Sequence, residues 1–191
     1  LTADNKSKTY AAPNPTFTFS DSGLIDGDSL ASALSSGPSY AVDGTLSTSL
    51  NLTAGTPHNI IPSAATATDL GYTIAYSNGS LTVNPLALAG AAIAAGNSVY
   101  AASLTPGAVS FTNIVGADVV GTTASVDVSA TSTSGNYIVG SYTQTAGAIS
   151  GTDAANYSFA GFTSAANYDI TQKALAGAAI AAGNSVYAAS L

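Results

Sequence analysis

Cysteine, methionine, tryptophan, arginine and glutamate are all missing from the 191 residues. Without cysteine there is no disulfide framework, no thiolate metal site and no thiol nucleophile. Positive charge is scarce: three lysines, Lys6, Lys8 and Lys173, stand against ten aspartates, for a net charge of −7. Such a field repels a phosphate backbone, which excludes nucleic acid as a partner. Long apolar runs are lacking too. The longest, residues 86–95, is mostly alanine and too short to cross a bilayer. No basic stretch leads into an apolar one, so nothing reads as a signal peptide. Ala, Ser, Thr and Gly fill more than half of the chain, yet 46% of residues are hydrophobic, which argues for a folded protein over a disordered one.

Internal repetition organises what is there. Residues 87–104 read ALAGAAIAAGNSVYAASL, and residues 174–191 repeat them letter for letter, 87 positions on. A fainter echo reaches the N-terminal part: at an offset of 90, Tyr10 falls on Tyr100, Leu24 and Ile25 on Ile114 and Val115, and Asp28 on Asp118. The closing segments Leu81-Thr82-Val83 and Tyr168-Asp169-Ile170 also correspond. The chain divides into units 1–84 and 85–172, with 173–191 as the opening strand of a third repeat. No Gly/Ser-rich or Pro-rich linker separates them, so neighbours are expected to abut.

Within each unit the dominant period is two, as at Thr16-Phe17-Thr18-Phe19 and at 125–130, the mark of half-buried strands. Residues 72–76 and 81–83 flank Asn78-Gly79, which predicts a hairpin with a type I′ turn. Residues 28–34 predict one or two helical turns capped by Asp28. The alanine-rich stretch 86–95 has helical propensity, but Gly90 and Gly96 would interrupt a helix, so a strand is expected. Each core is expected to rest on a few large side chains: Tyr10, Phe17, Phe19, Leu24, Ile25, Tyr72 and Ile74, then Tyr100, Phe111, Ile114, Val115, Tyr157 and Phe159. The fold class is mostly β, as tandem Ig-like β-sandwich modules, with β-grasp-like modules carrying one short helix as the alternative.

The stretch from Lys6 to Pro15 with Gly23-Leu24-Ile25-Asp26-Gly27-Asp28, Gly71-Tyr72-Thr73-Ile74 and Gly79-Ser80-Leu81-Thr82-Val83 resembles the MBG domain of the YGX type. The second unit, through Ile149-Ser150-Gly151-Thr152-Asp153-Ala154-Ala155-Asn156-Tyr157 and Gln172-Lys173-Ala174-Leu175, resembles the related YDG repeat. Both resemblances imply stalk repeats of large secreted bacterial adhesins similar to filamentous haemagglutinin, and neither implies a catalytic motif. The glycine after the tyrosine of the first family's name is Ala11 here, and the second unit has Tyr100-Ala101-Ala102 for Tyr-Asp-Gly. An alanine at that turn implies a relaxed backbone.

Candidate chemistry is sparse. His58, the one histidine, sits in the loop-like Gly55-Thr56-Pro57-His58-Asn59, where an exposed side chain is expected, and no Gly-x-Ser-x-Gly elbow accompanies it. Asp26 and Asp28 form the one close acidic pair and are weak candidates for Ca2+, although EF-hand spacing is missing. Asp28 and Asp118 more readily cap a turn or helix, and Asp153 reads as a turn-forming residue. Tyr10, Tyr100 and Tyr187 recur at matching positions, which fits a core or interface role better than a sugar platform. The expectation is therefore no enzyme and no cofactor. The chain reads as spacer repeats of a secreted or cell-surface adhesin, with neighbouring repeats as partners; the alternative is modules that themselves bind surface glycan or matrix.

Overall fold

Short alternating runs of β-branched and aromatic residues, punctuated by Ser, Thr, Asn and Gly, yield short strands grouped in several small sheets. In this computed structural model, which describes residues 1–177, 179 and 180, 35% of those residues are strand and 4% helix. The first repeat contains β1 (Thr2–Ala3), β2 (Lys6–Thr9), β3 (Phe19–Ser20), a single-turn helix α1 (Leu30–Ala33), β4 (Leu34–Ser36), β5 (Ser39–Val42), β6 (His58–Ser63), β7 (Thr66–Ala67) and β8 (Gly79–Asn84). The second contains β9 (Leu86–Ala87), β10 (Ala92–Ile93), β11 (Gly96–Val99), β12 (Val109–Ser110), β13 (Ala124–Val126), β14 (Gly140–Tyr142), β15 (Gln144–Ala146), β16 (Tyr157–Ser158), β17 (Phe162–Thr163) and β18 (Tyr168–Thr171).

The two repeats share a plan. In the first, β8 lies between β2, which it pairs in parallel, and β6, which it pairs antiparallel; β5 completes that sheet. In the second, β18 lies in the same way between parallel β11 and antiparallel β14. The registers match: Lys6 opposite Leu81 becomes Gly96 opposite Tyr168. The pair β1–β3 recurs as β10–β12. Among the described residues every ladder closes within 1–84 or within 85–172. Because the first long strand of each repeat runs parallel to its last, the chain comes in at one end of that ladder and goes out at the other.

Alternation on the central strands builds the cores. Leu81 and Val83 of β8 and Ile60 of β6 are buried with Tyr10, Ala3, Ala54 and Tyr157 in one cluster. Tyr168 and Ile170 of β18 pack across to Val126 of β13, one sheet facing the other as in a β-sandwich-like fold. A buried amide cross-ties the second repeat: the Gln144 side chain donates to Ala94 O and Asn167 Oδ1 and accepts from Gly107 N.

Several sequence expectations are corrected here. No hairpin joins 72–76 to 81–83; β8 pairs instead with β2 and β6. Gly79 does not adopt positive φ, and its role is close approach, since a Cβ there would lie 2.4 Å from Ala3 O. Helix α1 is capped by Ser29 in a capping box with Ser32, not by Asp28. With only Ala33 buried, α1 is too short to cover a sheet in the β-grasp manner. Residues 86–95 form strands β9 and β10, with no helix. Ala11 and Ala101 hold φ of 61° and 67°, so the turn after each tyrosine stays left-handed without glycine. Ile25, expected in the core, is 70% exposed.

Candidate functional site at the seam between the repeats

The densest polar constellation joins the two repeats. Tyr10 follows β2 directly, where its N–H donates to Asn84 O at the end of β8 and fixes the ring beside the central strand. A tight turn at 47–51, closed by Ser47 N to Asn51 O at 2.8 Å, presents Ser47, Thr48 and Ser49 at the same end. From the second repeat come Asp118, on the turn closed by Asp118 N to Val115 O, and Asp153, Asn156 and Tyr157 around a short 3-10 turn, Ala154–Asn156.

Asp118 is the hub. Its Oδ2 receives the hydroxyl protons of Tyr10 at 2.5 Å and Tyr157 at 2.7 Å, and its Oδ1 receives Ser49 N–H at 3.0 Å. Having spent its proton there, the Tyr10 oxygen accepts from the Ser47 hydroxyl at 2.6 Å, and the Tyr157 oxygen accepts from Val115 N–H at 2.9 Å. The two rings meet edge to face, centroids 5.4 Å apart. Asp153 repeats the arrangement alongside. It accepts from Thr48 N–H at 3.0 Å, the Thr48 hydroxyl at 2.8 Å and Val119 N–H at 2.9 Å. Asn156 Oδ1 accepts from Ala54 N–H at 2.8 Å. Ser49 Oγ closes the set, donating to Val115 O and accepting from Ala117 N–H.

These bonds act on the titrating groups in opposite directions. Burial works against ionisation of Asp118, but donors from Tyr10, Ser49 and Tyr157 outweigh it and hold the carboxyl below the usual range. Asp153 is held low by the Val119 and Thr48 backbone donors. Burial, with the Asp118 carboxylate beside it, pushes the Tyr10 hydroxyl up to about 12 and raises Tyr157 further. Both tyrosines therefore remain neutral donors and both aspartates remain charged acceptors across the physiological range.

The residues singled out by sequence are placed as follows. Asp28 accepts the Tyr72 hydroxyl at 2.5 Å, while Ile25 N–H donates to the Tyr72 oxygen. This is the Asp118–Tyr157–Val115 arrangement of the second repeat, built at the outer end of the first and left exposed. Asp26 is exposed on the same turn and does not join it. Among the described residues no group of three or more His, Asp or Glu is placed to hold a metal ion. His58 is no loop residue: it opens β6, is 3% exposed, and meets Thr53 O through Nε2 at 2.8 Å. Asp118 and Asp153, read as local turn formers, instead reach across to the other repeat. Composition and spacing single out neither the serines nor the threonine of the 47–51 turn. Their signal is in the sequence, because Ser47-Thr48-Ser49-Leu50-Asn51 recurs as Ser132-Thr133-Ser134-Gly135-Asn136. Tyr187 and most of 173–191, expected as the opening strand of a third repeat, lie outside the described residues, and 173–177, 179 and 180 form no strand.

No curated protein and no solved structure matches the chain. Residues 1–82, the first repeat, match the MBG domain (YGX type) family.

Proposed function

We propose that the chain is a segment of a stalk: spacer modules of a secreted, surface-exposed adhesin that hold a distal binding part away from the cell. The MBG domain is a repeat domain of adhesin-like proteins, and its match over 1–82 supports the reading. The observation that carries it is the parallel pairing of β2 with β8 and of β11 with β18. A chain that comes in at one end of a ladder and goes out at the other lengthens the array by one module per repeat. Tension applied through those ends loads all four paired positions of each ladder in shear at once, instead of opening them one by one. The seam adds polar bonds that fix how one module sits on the next.

Single-molecule extension of the chain between its ends tests this. The expected record shows discrete events, each releasing about 300 Å for a module of this length at an extended rise of ~3.5 Å per residue. Featureless extension at low force, or a scattering profile of one compact globule, overturns it. The same preparation screened against glycans addresses the alternative, in which the modules themselves carry the binding activity.

A further inference from the structure

The second repeat ends in the same apparatus that the first uses to hold its neighbour. Tyr100 stands where Tyr10 does, its hydroxyl 2.7 Å from Ser132 Oγ and 3.2 Å from Ser134 Oγ, as Tyr10 meets Ser47. The turn beneath closes identically, Ser132 N to Asn136 O at 2.8 Å. In the first repeat that end is covered. Ala54 is 6% exposed, and the amides of Thr48, Ser49 and Ala54 donate to Asp153, Asp118 and Asn156. In the second it is bare: Tyr137, Ile138 and Val139 are 41%, 40% and 46% exposed, and beside them Val99 is 46% exposed. Among the described residues the amides of Thr133, Ser134 and Val139 make no hydrogen bond. The segment leading away from this end is equally bare. Leu88 packs against the first core cluster, whereas Leu175, its counterpart in the letter-for-letter repeat, is 99% exposed; Ile93 is 6% exposed and its counterpart Ile180 is 101% exposed. Exposed apolar side chains beside unused donors make a docking surface.

We infer that the face formed by Tyr100, the 132–136 turn and Tyr137 to Val139 receives one occupant, a further module of the 85–172 kind opening at Ala174. Its counterpart of Asp118 accepts from the Tyr100 hydroxyl and Ser134 N–H. Its counterpart of Asp153 accepts from Thr133, and its counterpart of Asn156 from Val139 N–H. The occupant is marked by chemistry as well as by repetition, since the face offers donors and apolar surface and requires carboxylates and an amide carbonyl. This rests on the stalk reading and deepens it by naming the contact that joins successive modules.

The test completes the third module in the sequence's own terms, by appending a copy of residues 105–172 after Leu191. Hydrogen exchange read by NMR on the extended chain is expected to slow at the amides of Thr133, Ser134 and Val139 by roughly 100-fold relative to the present chain. The resonance of the Tyr100 hydroxyl group is expected to take on the features of Tyr10. An alanine in place of the appended copy's counterpart of Asp118 restores fast exchange at Ser134 while the appended module stays folded by its own amide dispersion. Unchanged exchange in an extended chain whose third module is folded overturns the inference. So does end-to-end self-association of the present chain that protects the same amides and is abolished by Asp28→Ala, since the occupant is then another molecule. Protection without stepwise extension under force would sink the stalk reading alone; stepwise extension without protection would sink the docking contact alone.

Discussion

Replacing Asp118 with alanine removes the acceptor of three hydrogen bonds at once: two tyrosine hydroxyls and the Ser49 amide. Hydrogen bonds to a charged partner contribute about 1.5–3 kcal/mol each, which sets a ceiling near 9 kcal/mol. The real loss is smaller. Tyr10 keeps Ser47, Tyr157 keeps Val115, and Asp118 at 8% exposure lies close enough to solvent for water to follow. We expect a loss of about 3–5 kcal/mol, from three donors that each lose a charged acceptor and are only partly satisfied by what remains. Asp118→Asn keeps the shape and an acceptor for Ser49 but turns the other oxygen into a donor facing two hydroxyls, and should cost about 1–2 kcal/mol. The internal control is Asp28→Ala, which removes the same kind of tyrosine partner from the exposed end of the first repeat and should leave stability near that of the unaltered chain. Urea unfolding followed by far-UV circular dichroism and tyrosine fluorescence reads all three. If Asp118→Ala shifts the midpoint no more than Asp28→Ala, the seam does not hold the repeats together as argued.

Seam stability is expected to fall at both pH extremes. Asp118 and Asp153 are lowered on folding, so their contribution is full above the unfolded value near ~4 and is lost as the pH drops through their lower folded values; Tyr10 and Tyr157 are raised, so theirs is full below ~10 and is lost as the pH climbs through about 12 for Tyr10 and higher still for Tyr157. Denaturant midpoints across that range, flat between ~5 and ~9 and falling outside it, check the sign. Leu50 holds φ of 58° while 78% exposed, where its counterpart is Gly135, so Leu50→Gly should stabilise the turn by about 0.5–1 kcal/mol, read as a raised melting temperature. Among the described residues Ser98 Oγ is buried without a partner, beside a cavity of 130 Å3; at the matching position Lys8 reaches Ala12 O at 2.9 Å. Ser98→Lys should fill that cavity, bond Ala102 O and gain about 1 kcal/mol in the same melting assay.

The repeat could be read directly from letters, and with it the β class, because identity at a fixed offset and period-two alternation are local properties. Pairing partners could not. Asn78-Gly79 between two alternating runs is the commonest local sign of a hairpin, yet nothing local distinguishes a glycine that turns the chain from one that lets Ala3 O approach. His58 misled for the same reason: its neighbours Gly55, Thr56 and Pro57 are loop-like, and its burial depends on β8 arriving from 23 residues downstream, with His58 opposite Leu81. The seam was harder still. Asp118 and Asp153 each stand in a turn where a local role suffices, and their partners in the first repeat lie 69 to 108 residues away in sequence. Only the recurrence of Ser-Thr-Ser-x-Asn, set beside the recurring Asp and Tyr, could have linked them.

A seam built from carboxylates, hydroxyls and amides suits modules made largely of Ala, Ser, Thr and Gly. Such modules have few large side chains for an apolar interface, and apolar contacts alone tolerate sliding and rotation. Hydrogen bonds are directional, so an Asp118 carboxylate held by two hydroxyls and an amide accepts one orientation of the neighbouring repeat and penalises others with an unpaired charge. The device is also asymmetric: the aspartate–tyrosine pair sits at the leading end of each repeat, at Asp28 and Asp118, and the tyrosine–serine turn at the trailing end, at Tyr10 and Tyr100. Like ends cannot satisfy each other, because two aspartates repel and two donor turns leave their amides unmet. Contacts of this head-to-tail kind extend in one direction without closing into dimers. With the same bonds at every seam, each added module turns by the same angle, and the curvature of a long array follows from the geometry of a single Asp–Tyr–Ser contact.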